Sequence, residues 1–167
     1  VCFAGYQNLS AQKDPSGSFI EATGWLRQED GRYLLPNGFV NNAEYYLNYT
    51  RSDYHRMLRY GANAQVIRIG LGRLGGWPDM ELQEKYLEVI DHMVKLGRET
   101  GQKTIFKMTV YDIPSFGEEN GWGRMLKNEN NEQHYVVKAW KVIWERFADD
   151  PSVIGYDLLN EPFRGDI

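Results

Sequence analysis

Cysteine is almost missing from this chain. Cys2 is the only one in 167 residues, which excludes an internal disulfide framework and any cysteine-built metal site. Histidine is nearly as scarce. His55, His92 and His134 fall far apart on helical patterns, without the close spacing that metal ligands need, so neither a metal nor another cofactor is expected. No apolar run approaches the roughly 20 residues of a membrane span. No basic stripe breaks a net charge of −4, which excludes nucleic acid as an expected partner. The first residue is Val with no signal-like segment before it, so a removed leader or a trimmed N-terminus is expected. Two sequons, Asn8-Leu9-Ser10 and Asn48-Tyr49-Thr50, lend slight support to a secreted or extracellular protein over a cytoplasmic one.

Aromatic residues, by contrast, are abundant: 11 Tyr, 7 Phe and 5 Trp. They suit a thick core, and they also suit a surface on which flat rings stack against sugar faces. Apolar residues at 42% and charged residues at 25% are ordinary for a globular domain, and this length supports one core.

Short apolar runs alternate with helical patterns. VCFAGY (1–6) reads as a strand, and residues 7–50, rich in Gly, Asn, Asp, Pro and Ser, as a long excursion. Within it, WLRQEDGRYLLPNGFV carries an Asp-Gly and an Asn-Gly and suggests a small hairpin. A helix follows, capped by Thr50 or Ser52 and ended by Gly61. AQVIRIGLG (64–72) is a β-branched strand. A long helix opens at Pro78 and Asp79 and ends near Gly101, with Leu82, Tyr86, Ile90, Met93, Val94 and Gly97 on one face. KTIFKMTVY (103–111) is a third strand. A helix from about Asn131 to Asp149 buries Val136, Trp140, Ile143, Trp144 and Phe147, and SVIGYDLL (152–159) is a fourth strand.

Strands separated by helices imply a parallel sheet with right-handed crossovers. Four such units make the first half of a (β/α)8 TIM barrel, a fold that usually takes about 250 residues. An open doubly wound sheet is the competing fold. It often carries a glycine-rich phosphate loop after its first strand, and QNLSAQKDPSGSF contains no GxGxxG.

Two residues stand out chemically. Glu161 follows an apolar strand, and carboxylates at the C-terminal ends of barrel strands face the active-site rim. Asn160 beside it supplies an amide able to donate to a sugar hydroxyl, and Pro162 helps stop the strand. A chance Asn-Glu-Pro in a loop is the plainer explanation. Arg68 lies inside an otherwise apolar strand, where a guanidinium needs an anion. It either points to the barrel axis and serves a catalytic carboxylate, or forms an ordinary buried ion pair with Asp157. Trp77 and Trp122 are loop residues suited to sugar platforms, whereas Trp140 and Trp144 read as core.

AQVIRIGL and GYDLLNEP resemble the second and fourth strands of glycoside hydrolase family 5, in the large clan of retaining β-glycosidases. YHRMLRYGANAQVIRIG and AWKVIWERFADDPSVIGYDLLNEPF are similar to the adjoining helix–strand units, so the likeness covers residues 51–163. The long first excursion and GYDLLNEPFRGD resemble the endoglycoceramidase-like branch, with a cellulase-like branch as the other choice. The resemblance implies a retaining β-glycosidase with Glu161 as general acid/base, Asn160 on the sugar 2-hydroxyl and Arg68 orienting the nucleophile. It also implies a nucleophilic Glu on strand seven. Residues 1–167 are then expected to be the N-terminal half of a catalytic domain, with strands five to eight outside it, either in the rest of the same protein or on a second chain. One departure touches the site. The family often has a His at the end of strand three and an acid earlier in it, where this chain has Thr109 or Val110 and Lys107. Tyr111 and Asp112 are candidates to take over substrate contacts. The expected partner is a β-linked oligosaccharide, polysaccharide or glycolipid. A non-catalytic carbohydrate-binding half-barrel and an open α/β binding or scaffold protein are the alternatives.

Overall fold

The computed structural model describes residues 19–20, 26–27, 32–43, 48–76, 81–110, 113 and 125–161. Nine elements occur among them. β1 (Phe19–Ile20) and β2 (Leu26–Arg27) pair antiparallel. β3 (Gly38–Asn42), α1 (Arg51–Arg59), β4 (Ala64–Gly70), α2 (Glu84–Glu99), β5 (Lys103–Thr109), α3 (Glu132–Phe147) and β6 (Val153–Asp157) follow.

β3, β4, β5 and β6 form one parallel sheet in sequential order, with a helix in every connection. A doubly wound sheet reverses its strand order at a switch point and carries helices on both faces. Neither feature occurs among the described residues. Ile67, Ile69, Phe106 and Met108, alternate residues on one sheet face, are fully buried in a single cluster. Tyr86, Leu87, Ile90, Met93 and Val94 of α2, and Ala139, Trp140, Ile143 and Phe147 of α3, complete it. α1 joins the same side through Tyr54, whose hydroxyl donates to Gln65 Oε1 at 2.6 Å. Helices on one face of a sequential parallel sheet are the arrangement of a (β/α)8 barrel.

The first strand of this sheet is a correction to the sequence reading. Residues 1–6 lie outside the described residues, and the strand that precedes α1 is Gly38–Asn42, inside the stretch read as an excursion. An antiparallel pairing occurs at 19–27, while residues 28–31, the Asp-Gly part of the stretch read as a hairpin, lie outside the described residues. Asn37-Gly38, read as a hairpin turn, begins the sheet strand instead. Its turn chemistry misled because the glycine meets a packing need: a Cβ at Gly38 would overlap the Ala64 carbonyl. Asn63 anchors the entrance, accepting from the Asn37 N–H at 2.7 Å and donating to the Leu35 carbonyl at 3.0 Å.

The helix boundaries follow local chemistry. Thr50 caps α1 in a reciprocal capping box with Asp53, whose carboxyl is held below its ordinary range by the Thr50 hydroxyl. Gly61 leaves the helix at φ 83°. α2 starts at Glu84, later than expected. Pro78 and Asp79 lie outside the described residues, and Leu82 is an exposed residue before the helix rather than part of its stripe. Gly97 lets α2 approach β4 closely, since a Cβ there would strike the Gln65 amide. On α3, Trp140 is buried but Trp144 is 40% exposed, against the expectation of core. It stacks on Trp140 at 5.9 Å and meets Tyr156 edge-on at 6.0 Å, capping the cluster from outside. Val136 of the same stripe is only half-buried. Arg146 clasps Asp91 through two hydrogen bonds of 2.8 and 2.6 Å and so ties α3 to α2.

One polar cluster lies within this helix–sheet interface. Gln65, fully buried, donates to the Met93 carbonyl at 3.0 Å and to Thr104 Oγ1 at 3.1 Å. It accepts from Tyr54 and, at 3.3 Å, from Asn41. Four elements thereby share one side chain, and every heteroatom of the Gln65 amide is satisfied, as burial demands.

Candidate active site

The C-terminal ends of β4, β5 and β6 lie side by side. The Leu71 N–H donates to the Thr109 carbonyl at 2.8 Å, and the Asn160 N–H to the Met108 carbonyl at 2.8 Å. The second bond extends the β5–β6 pairing past Asp157 and brings Asn160 alongside Thr109. Between them, the Leu158 carbonyl accepts the Trp140 indole N–H at 2.9 Å. The chain leaving β6 is therefore held from the helix side and from the neighbouring strand. Asn160 is buried and Glu161 is exposed. Glu161 has φ 48°, a left-handed conformation that disfavours an L-residue with a Cβ. An outlier at the end of a pinned segment is the kind of local strain that the surrounding structure must hold in place.

Register decides what faces the other side of the sheet. Asn42, Arg68, Lys107 and Asp157 are consecutive partners across β3, β4, β5 and β6. Partners in a parallel sheet point the same way, and successive residues alternate. Since Ile67 and Phe106 face the helices, this row faces away from them, along the concave side that becomes a barrel interior. Arg68, Lys107 and Asp157 are half-buried there. Arg68 Nη2 lies 3.5 Å from Thr109 Oγ1, one layer nearer the C-terminal rim. Thr109 is 5% exposed. Arg68, Thr109 and Asn160 are thus brought together at the rim next to Glu161.

Arg68 is separated from Asp157 by the whole of β5, with Lys107 between them. The direct Arg68–Asp157 pair considered from sequence does not form. Lys107 and Thr109 were noted in the sequence only as departures from a pattern, and their alignment with Arg68 escaped notice. Strand parity carried the signal: 66, 68 and 70 face one way with 105, 107 and 109. Tyr111, Asp112, Trp77 and Trp122 lie outside the described residues. His55, His92 and His134 are exposed on three different helices, and among the described residues no group of three His, Cys, Asp or Glu side chains is placed to hold a metal. Among the described residues no helix is long and apolar enough to cross a membrane.

A parallel sheet clad by helices on one face superposes on several solved structures. An endogalactoceramidase superposes with a TM-score of 0.72 at 18% identity, covering 84% of this chain and 43% of that one. Endo-glycoceramidase II from Rhodococcus sp., in complex with a cellobiose-like imidazole, gives 0.69 at 20% identity, over 86% and 43% of the two chains. An endoglucanase from Pseudomonas stutzeri gives 0.59 at 18% identity, over 83% and 45%. These likenesses establish the (β/α)8-type fold. An endoglycoceramidase from Cyanea nozakii is 35% identical over a stretch covering 35% of this chain and 14% of its own length.

The family follows from a separate match. Residues 33–167 fit the model of cellulase, glycosyl hydrolase family 5. The chain belongs to that family. It spans 43% of each of the first two solved relatives and 14% of the curated one.

Proposed function

We propose that this chain is the N-terminal half of the catalytic barrel of a retaining β-glycoside hydrolase, with Glu161 as general acid/base. The observation that carries the reading is the pinned rim segment, in which a buried Asn160, bonded to the Met108 carbonyl next to Thr109, precedes an exposed Glu161. A retaining enzyme needs two carboxyl groups about 5–5.5 Å apart. Glu161 donates a proton to the leaving glycosidic oxygen as the second carboxylate attacks the anomeric carbon. It then takes a proton from the water that releases the sugar. Asn160 donates to the 2-hydroxyl of the sugar being cleaved. Arg68 fixes the attacking carboxylate, a Glu on the seventh barrel strand, outside these 167 residues and carried either by the rest of the same protein or by a second chain.

The relatives named endoglycoceramidase and endogalactoceramidase favour a glycolipid with a β-linked sugar headgroup over a cellulose-like oligosaccharide. Together with the two sequons, a substrate of this kind supports a secreted or extracellular protein.

The test uses the full-length protein. Glu161→Gln should lower kcat on a substrate with a poor leaving group by about 10²–10⁴-fold, the usual value of general acid–base assistance. On an activated aryl β-glycoside the loss should be smaller in the first step, and added azide should restore turnover as a β-glycosyl azide. The 167-residue chain alone should show no turnover. Retention of more than a tenth of the activity by Glu161→Gln would overturn the assignment. Binding of a β-linked glycolipid with no cleavage by the wild-type protein would instead favour a carbohydrate-binding role for the same rim.

A further inference from the structure

Just past β6 the pairing with β5 slips by one residue. Lys107 stands opposite Asp157, so an unbroken register puts Met108 opposite Leu158 and gives the Met108 carbonyl to the Leu159 N–H. That carbonyl takes the Asn160 N–H instead. One extra residue is thereby fitted into the rim segment, a β-bulge, which is a device that re-aims side chains. The slip sets Leu159 opposite Met108 and Asn160 opposite Thr109. Leu159 accordingly packs on the core cluster that holds Met108, while Leu158 is 43% exposed. Apolar burial does not choose between the two registers. Leu158 and Leu159 are the same residue, so either fills the position opposite Met108. Hydrophobic pattern ordinarily forbids a one-residue slip, because the slip exchanges the two faces of a strand. The Leu-Leu pair removes that safeguard.

We propose that Trp140 is a positioning residue that selects the slipped register, and with it the placement of Asn160 and Glu161. Its indole N–H donates to the Leu158 carbonyl, the backbone group at the slip, at 2.9 Å. Trp140 is buried. A helical side chain leans toward the N-terminus of its helix, and α3 enters from the rim, so the indole leans rimward. Trp144 stacks on it at 5.9 Å and Tyr156 meets it edge-on at 5.7 Å. These neighbours fix the ring plane and aim the N–H at one carbonyl. The unbroken register turns that carbonyl back into the plane of the sheet and leaves the buried N–H without its acceptor, a cost of about 1–3 kcal/mol in general. It also turns the Asn160 amide toward the helices. The structural part of this proposal stands by itself. Its consequence for catalysis rests on the glycosidase reading above.

The experiment is a double-mutant cycle in the full-length protein, with a crystal structure of one corner. Trp140→Phe keeps an aromatic ring and removes the N–H. Its structure should show the Met108 carbonyl on the Leu159 N–H and Glu161 displaced by about one residue rise, roughly 3.3 Å. On a substrate with a poor leaving group kcat should fall about tenfold or more with KM within about twofold, the pattern of a contact needed in the transition state. On an activated aryl β-glycoside, which needs little proton donation, the loss should be much smaller. Leu158→Gln breaks the degeneracy, since an amide is costly in the core position opposite Met108. Alone it should leave kcat within about threefold of wild type, and added to Trp140→Phe it should restore kcat to about that level, a non-additive pair.

A structure of Trp140→Phe with the Met108 carbonyl still on the Asn160 N–H overturns the proposal whatever the kinetics show. So do additive losses in the double variant, the outcome expected of a merely structural tryptophan. If Trp140→Phe does not fold, 3-benzothienylalanine in place of Trp140 decides, because it keeps the bicyclic ring and exchanges the N–H for sulfur. The unbroken register in that protein supports the proposal, and the slipped register refutes it. Wild-type protein without glycosidase activity would sink the functional reading alone, leaving the register to be judged from the structures.

Discussion

Replacing Gln65 by leucine should cost the fold about 2–4 kcal/mol, whereas removing the hydroxyl of its partner by Tyr54→Phe should cost only about 1 kcal/mol. The difference comes from who is left without a partner. In Tyr54→Phe, Gln65 Oε1 keeps the Asn41 amide, and the Met93 carbonyl keeps Gln65 Nε2. Every remaining group stays satisfied, so the loss is that of one net hydrogen bond. In Gln65→Leu, Tyr54 retains the Met93 carbonyl at 3.1 Å. Thr104 Oγ1 and the Asn41 amide each lose their Gln65 bond, Asn41 being left with a 3.8 Å contact with Met57 Sδ and its approach to the Tyr54 hydroxyl. Thr104 and Asn41 are both buried. Two buried groups deprived in this way cost about 1–3 kcal/mol each, partly offset by the apolar side chain introduced. Urea unfolding followed by tryptophan fluorescence gives both values. A Tyr54→Phe cost equal to or above that of Gln65→Leu would refute the reasoning, as would a Gln65→Leu cost below about 1 kcal/mol.

Two further outcomes follow from the same structure. Burial pushes the Tyr54 phenol above its ordinary value of 10.0. A raised folded-state pKa stabilises fully below the unfolded value and is lost as pH climbs from there through the folded one. Wild-type stability should therefore fall more steeply above about pH 10 than that of Tyr54→Phe, and parallel urea midpoints from pH 8 to 11 would contradict this. At Glu161, relief of a left-handed backbone worth about 1–2 kcal/mol outweighs the roughly 0.5–1 kcal/mol of added chain entropy in glycine. Glu161→Gly should thus be about as stable as Glu161→Ala or up to about 1 kcal/mol more so, and a clear drop below it in thermal or urea midpoint would show that φ carries no strain.

Most of the scaffold was legible before any coordinates. Tyr86, Ile90, Met93, Val94 and Gly97 recur at helical spacing because α2 buries one stripe, and that stripe is found in the core. β4, β5 and β6 were recognisable as β-branched or apolar runs, since parallel strands under helices need such residues. β3 was not. Its sequence, GFVNN, has three residues of low strand propensity, and only pairing with Ala64–Arg68 makes it a strand. Trp144 was misjudged because periodicity reports a face and not how much of it a neighbour covers.

The division between the two sources has a physical cause. Local spacing and residue chemistry, which act within a few residues along the chain, were enough to determine the alternating α/β order, the caps of α1 and the choice of Asn160, Glu161 and Arg68 as candidates. Register is a long-range quantity, fixed only when strands from distant segments align and every backbone bond between them is made. It alone decided that β3 opens the sheet, that Lys107 stands between Arg68 and Asp157, and that Arg68 meets Thr109 beside the pinned Asn160.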